Sequence, residues 1–203
     1  MTKVTFLAAI VFCVAVSCSK PRLENADDAT SQMELASNSG SNANIKNRDM
    51  ITQKITPYLW VEKDAKAVAD YYLSIFKDGK LKDFRKFDSG ESGNEAGIET
   101  AVIEIAGMEF SILAAGPLFK FNEAVSFVIN TKDQAETDYY WEALTANGGE
   151  EGSCGWCKDK YGLSWQVVPV EYFELIHSAD PAVRDKAMKN TLKQKKLILS
   201  ELK

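Results

Sequence analysis

The chain has 203 residues, with 24 Lys and Arg against 29 Asp and Glu, for a formal charge of −5. That length suits one large domain or two small ones, and 45% hydrophobic with 26% charged residues is ordinary globular composition, so global disorder is excluded. The acidic balance offers no basic stripe to phosphate backbones, which argues against a nucleic-acid partner, and the single histidine, His177, excludes any chemistry that needs two or three imidazoles.

Residues 1–17 read as a secretion signal. Lys3 supplies the positive start, and Val4 to Val16 is apolar apart from Thr5, too short a stretch to span a membrane stably. Ala15-Val16-Ser17-Cys18 then resembles the bacterial lipobox, although Ala15 stands where that motif usually has leucine. The resemblance implies that Cys18 is lipidated and becomes the new N-terminus, with acyl chains contributing about 0.8 kcal/mol per buried CH₂ to membrane anchoring. Ser19 lacks the aspartate associated with inner-membrane retention, which favours the outer membrane. The alternative is an ordinary cut near Ser17, with Cys18 incidental and a periplasmic or secreted product. Residues 18–54 are then a lipidated cysteine and a tether rich in Ser, Asn, Asp and Ala, of a composition that cannot offset ordering entropy. Its r.m.s. reach is about 30–36 Å.

The fold is expected over residues 55–203. Ile55 to Val61 has the aromatic and β-branched content of a strand, with Pro57 suited to an edge or a strand start. Asp64 caps a helix running to about Phe76, and Asp78-Gly79 ends it. Lys80 to Phe87 is a candidate strand, Ser89 to Gly97 a polar loop, and Ile98 to Ala106 with Met108 to Ala114 a hairpin turning at Gly107. The order then recurs: a strand over Ala124 to Asn130, a helix over Lys132 to Ala146, and strands over Glu150 to Lys158 and Leu163 to Val168. Asp70-Tyr71-Tyr72 and Asp138-Tyr139-Tyr140 occupy corresponding places in the two helices. A βαβββ unit occurring twice is an internal repeat. After it, Asp180-Pro181 starts a C-terminal helix with Val183, Ala187, Met188 and Leu192 as its apolar face. The basic run Lys193-Gln194-Lys195-Lys196 is a solvated face before it is a contact for acidic lipid.

Three segments carry a family resemblance. They are Ile55-Thr56-Pro57-Tyr58-Leu59-Trp60, the stretch Gly116-Pro117-Leu118-Phe119-Lys120-Phe121-Asn122-Glu123-Ala124-Val125-Ser126-Phe127, and the run from Cys154-Gly155-Trp156-Cys157 through Tyr161-Gly162-Leu163-Ser164-Trp165-Gln166 to Pro169. With the repeat, they resemble the vicinal oxygen chelate superfamily, which includes glyoxalase I and the fosfomycin and bleomycin resistance proteins. Within it they resemble the PhnB-like branch, also labelled 3-demethylubiquinone-9 3-methyltransferase-like. The resemblance implies an α+β fold in which two tandem modules, about 55–115 and 124–170, form a cupped, barrel-like mixed sheet, with a C-terminal helical segment over 171–203. It also implies homodimers, the last helix docking on the partner subunit or packing on its own sheet.

In that superfamily the metal ligands come from the first and fourth strands of each module. Carried over, these positions are Thr56, Pro57 or Tyr58; Glu109, Ser111 or Leu113; Val125, Ser126 or Phe127; and Gln166. The set is poor in ligands for a transition metal, and His177 lies beyond the sheet, so no metal residue is assigned and a divalent metal is disfavoured. Glu109 alone offers a base, though a solvated strand residue is the simpler reading. No Gly-rich strand-to-helix turn is available for a methyl donor, so the methyltransferase label has no support in the residues. What remains is a polar and aromatic cup. Ser126, Ser164 and Gln166 share one strand face with Ser111 opposite, while Tyr58, Trp60, Phe119, Phe121 and Trp156 lie near the connecting segments. Trp165 should point away from Gln166.

Cys154 and Cys157 form a Cys-x-x-Cys pair that reads as buried thiols, a structural disulfide or a redox site. If the segment is extended, their Cα atoms lie about 10 Å apart, too far for a disulfide unless Gly155 makes a bulge. The reading is therefore an envelope-anchored domain that captures a small aromatic or amphiphilic molecule, without the superfamily's usual metal. A metal- or carboxylate-dependent lyase or isomerase is the alternative, and a thiol redox protein comes third.

Overall fold

The computed structural model describes residues 53–88 and 97–203. The expected signal sequence, Cys18, most of the expected tether and the expected polar loop after Asp88 lie outside the described residues. The first half runs β1 (Tyr58–Val61), α1 (Ala65–Ile75), β2 (Lys80–Phe87), β3 (Ile98–Ile105) and β4 (Met108–Ala114). The second runs β5 (Ser126–Thr131), α2 (Gln134–Thr145), β6 (Glu150–Glu151), β7 (Trp156–Lys158) and β8 (Ser164–Pro169). α3 (Val170–Ile176), α4 (Pro181–Thr191) and α5 (Leu199–Leu202) follow.

The helix starts have local causes. The Asp64 carboxylate accepts from the Ala67 amide at 3.0 Å and Asp133 from the Glu136 amide at 2.8 Å, satisfying donors that a helix end leaves orphaned. Glu136 in turn accepts from the Lys132 amide at 2.7 Å, a close relative of the capping box. α1 buries Ala65, Val68, Ala69, Tyr72 and Ile75, the stripe its spacing predicts. The β3–β4 hairpin turns on Ala106 and Gly107 at φ 49° and 75°, the left-handed pair that a tight two-residue turn requires.

Each half makes a four-stranded sheet, in the order β1-β4-β3-β2 and β5-β8-β7-β6. β1 pairs with β4 and β5 with β8 in parallel, and the other pairs are antiparallel. The duplicated α+β architecture is thus present with matching topology. The expected single barrel-like sheet is instead two open sheets, neither closed on itself nor hydrogen-bonded to the other. The reason is where the apolar faces go. Leu59, Val61, Ile103 and Ile112 of the first sheet and Cys157, Trp165 and Val167 of the second bury in one shared core with both helices. Phe110 meets Phe127 across the seam at 5.0 Å between ring centroids.

Three elements differ from expectation. β1 begins at Tyr58 rather than Ile55, which is 85% exposed. The strand expected over Glu150 to Lys158 is broken into β6 and β7 by a turn in which Cys154 and Gly155 take φ values of 58° and 83°. The Gly152 amide donates to Trp156 O and the Trp156 amide to Ser153 O, closing that turn. Finally, α4 buries Ala187 and Thr191, leaving Val183, Met188 and Leu192 exposed. α4 packs against α3 and α5, so small residues rather than the long apolar ones face inward.

Candidate functional site

Side chains alternate between the faces of a strand, and each sheet here spends one face on the shared core. The other face carries the candidates. On the first sheet Tyr58 stands beside Ser111 in register, and Trp60 beside Leu113. On the second, Ser126 pairs with Ser164 across the β5–β8 ladder and Gln166 with Trp156 across β7–β8. The Gln166 amide donates to Ser126 Oγ at 2.9 Å. Trp165 lies on the core side, donating its indole N–H to Asp159 Oδ2 at 2.9 Å.

Ser111 was expected opposite Ser126, Ser164 and Gln166, and the chain does not bring them together. Because both sheets turn their apolar faces to one core, their open faces look away from each other. Apart from the bonded pair Ser126 and Gln166, the candidates fall into three places. Tyr58 and Ser111 lie on the first open face, Tyr58 being 61% exposed. Trp60, Phe119 and Phe121 line a crevice of about 370 Å³ shared with Lys160 and Tyr161. There Trp60 donates to Gly116 O at 2.8 Å and meets Phe119 edge-on at 5.0 Å. Trp156 and Ser164 line a smaller hollow of about 200 Å³ beside Lys158 and Glu123. Ser164 Oγ is buried there with no hydrogen-bond partner in the protein.

Glu109, read from sequence as a solvated strand residue, is only 4% exposed and pairs with the Lys82 ammonium. Its backbone is bracketed by the Gln53 amide, which donates to Glu109 O at 2.8 Å and accepts from Glu109 N at 3.0 Å. The inherited metal positions therefore do not fit a divalent ion. Their one carboxylate is held by a lysine, Ser126 and Gln166 are bonded to each other, and the two pairs of strands present different faces. Among the described residues no three His, Cys, Asp or Glu side chains converge on a common point. A methyl donor fits no better, since the β1–α1 connection is Glu62-Lys63-Asp64 and the β5–α2 connection is Lys132-Asp133, neither with a glycine.

Cys154 and Cys157 are free thiols. The pair is not bridged, and the turn sets the two apart: Cys154 sits on the hairpin tip while Cys157 points into the core, 3% exposed. Burial, helped by the Asp159 carboxylate, pushes the Cys157 thiol up to about 12, away from the thiolate that redox exchange needs.

Sequence reasoning missed the interior group that joins the modules. Asp159, 2% exposed, accepts from Tyr72 Oη at 2.9 Å, from the Trp165 indole, and from the amides of Tyr161 and Leu163 at 2.9 and 3.2 Å. Burial raises the Asp159 carboxyl and these four donors oppose that rise. From the other helix, Tyr139 donates to Ile75 O at 2.6 Å and Tyr140 packs on Phe76 with ring centroids 5.3 Å apart. The repeated Asp-Tyr-Tyr was the available signal: its tyrosines lace each helix to the other module. A further crevice of about 630 Å³ lies between the β3–β4 hairpin and β5, and Ser126 is the one expected binding residue that lines it.

Comparison with known proteins agrees with this architecture. The family model described as 3-demethylubiquinone-9 3-methyltransferase matches residues 53–168. The chain belongs to that family, the PhnB-like branch of the vicinal oxygen chelate superfamily. Among solved structures it is similar to a putative 3-demethylubiquinone-9 3-methyltransferase, PhnB protein, from Bacillus cereus. The two are 25% identical over 58% of this chain and 100% of that one, with a TM-score of 0.52. A protein from Pseudomonas aeruginosa is 19% identical over 58% and 98% of the two chains, TM-score 0.45. The fosfomycin resistance protein FosX from Listeria monocytogenes is 17% identical over 58% and 92%, TM-score 0.42. No curated protein matches the chain.

Proposed function

We propose that the protein captures a small aromatic or amphiphilic molecule on its open sheet faces, without a metal, and that a second copy of the chain completes the cup. One observation carries the reading. Each module presents a face with exposed aromatic or apolar groups beside hydroxyl and amide groups, Tyr58 with Ser111 and Val128 with Ser126 and Gln166, and these faces point away from each other. Concave sites are built from such mixtures, and one chain supplies only the two separated halves. A face-to-face homodimer would oppose the first module of one copy to the second module of the other. The folded domain would be held at the cell envelope, on the outer membrane, by lipid on Cys18.

The test is anilinonaphthalene sulfonate titrated into the full chain during sedimentation analysis. Saturable binding by a dimer, lost on Ser111→Trp, supports the reading, and a monomer with unchanged binding in that variant overturns it. For the anchor, Cys18→Ala should move the protein from the membrane fraction to the soluble one. A lyase or isomerase would need Glu109 as its base, and its pairing with Lys82 opposes that role.

A further inference from the structure

We propose that the crevice between the β3–β4 hairpin and β5, which shares Ser126 and Val128 with the second module's open face and nothing with the first module's, is a binding site for a small organic cation with an aromatic or alicyclic body. Its floor is an unbroken chain of rings. Phe110 meets Phe127 at 5.0 Å, Phe127 meets Trp165 at 5.7 Å, Trp165 meets Phe76 at 5.7 Å, and Phe76 meets Tyr140 at 5.3 Å. Met108 and Val128 stand at the mouth, 44% and 45% exposed, as apolar surface that a ligand would cover. The volume of about 630 Å³ lies within the usual range for small-molecule sites, about 300–1,000 Å³.

The charge pattern selects the occupant. Asp78 and Glu136 line the same crevice and both act electrostatically on the Tyr140 phenol. Among the described residues no lysine or arginine pairs with either carboxylate. The negative faces of the aromatic rings attract a cation, and two carboxylates without an ion-pair partner at one end add to that attraction. An anion would be repelled, and a neutral body would gain only the apolar floor. β5 is also an edge strand, where a second copy or a peptide could add a strand, and the experiment separates that outcome.

Phenyltrimethylammonium, its neutral carbon isostere tert-butylbenzene and anionic benzenesulfonate are titrated into the full chain by calorimetry and tryptophan fluorescence. The cation should bind at least about tenfold more tightly than the isostere, the size expected of a partly desolvated cation–π and carboxylate contact, and benzenesulfonate should not bind. The double variant Asp78→Asn, Glu136→Gln should lose that preference. The amide oxygen introduced by Glu136→Gln would still accept from the Lys132 amide, so the helix start is kept, and an unchanged Tm checks this. Val128→Trp should block the mouth and Ser111→Trp should leave cation binding intact. Equal affinity for cation and isostere, no effect of the double variant, or loss of cation binding in Ser111→Trp each overturns the proposal. So does a chain whose dimer is broken by Val128→Trp while the cation fails to bind, since the crevice would then be an interface between copies.

Discussion

The two modules share one connectivity and are stabilised differently. In the first, β2 and β3 run eight residues each and pair from end to end apart from a bulge between Leu81 and Asp83, with Lys82, Glu104 and Glu109 forming a charged group on the open face. In the second, β6 and β7 have two and three residues, too little ladder to hold a sheet edge unaided. The C-terminal segment makes up the difference. Gln194 and Lys195 carbonyls accept from the Cys154 and Gly155 amides at 2.8 and 2.7 Å. Leu197 fills the space over Gly155 and packs with Val168 and Leu202. The Gln134 side chain grips Leu197 O and Leu199 N at 3.0 and 2.8 Å. A duplicated module can therefore shorten its strands if another part of the chain takes over their hydrogen bonds and their apolar cover.

Breaking what joins the modules should have the largest effect. Asp159→Ala leaves Tyr72 Oη, the Trp165 indole and two amides without their acceptor in a dry site. It should cost about 3 kcal/mol or more, and urea unfolding followed by tryptophan fluorescence should show both modules destabilised together. Leu197→Ala removes a fully buried side chain and should cost about 2–4 kcal/mol. Hydrogen exchange should speed in β6 and β7 while β2 and β3 stay protected; equal acceleration in both would contradict the division of labour drawn above. Gly155→Ala puts a Cβ at φ 83°, 3.0 Å from Val167 O and 3.2 Å from Leu197. A loss of about 1–3 kcal/mol is expected, with no comparable effect from Gly107→Asn, whose turn meets nothing within 4 Å.

The next difference appears only in alkali. The Cys157 thiol holds its proton more tightly folded, at about 12, than at the ordinary 9.0. That stability is complete below pH 9 and is lost as pH rises towards 12, and Tyr72 shifts in the same direction. Cys157→Ala should therefore flatten the fall in urea midpoint over this window, and iodoacetamide at neutral pH should modify native Cys154 well before Cys157. The smallest effect is expected at Lys66→Ala, which removes an exposed i,i+4 pair to Asp70 on α1. It should change stability by about 0.3–0.5 kcal/mol, and less in high salt.

Much of the fold was legible because its signals are local. The Asp64 and Asp180 caps, the period of α1, the Gly107 turn and the alternation along β3 depend on neighbours within a few residues. The doubled Asp-Tyr-Tyr marked the repeat. The site was much less legible. Ser111, Ser126, Ser164 and Gln166 were read onto strand faces and Tyr58 near the connecting segments, but alternation does not say which way two sheets face each other. The same gap hid Asp159, an acidic residue in a turn whose burial depends on Tyr72, eighty-seven residues away, and it misassigned α4, whose inner face depends on helices rather than a sheet.

By itself, the sequence determined two βαβββ modules and the shortage of metal ligands, because capping, periodicity and donor chemistry belong to individual residues, and three of its segments carried the family resemblance. Only the tertiary structure decided that the modules share one core through their helix sides. That choice turns the candidate faces outward, buries Cys157 and Asp159, and opens the aromatic crevice at the seam. It follows from the summed apolar area of both sheets, a property of the folded whole.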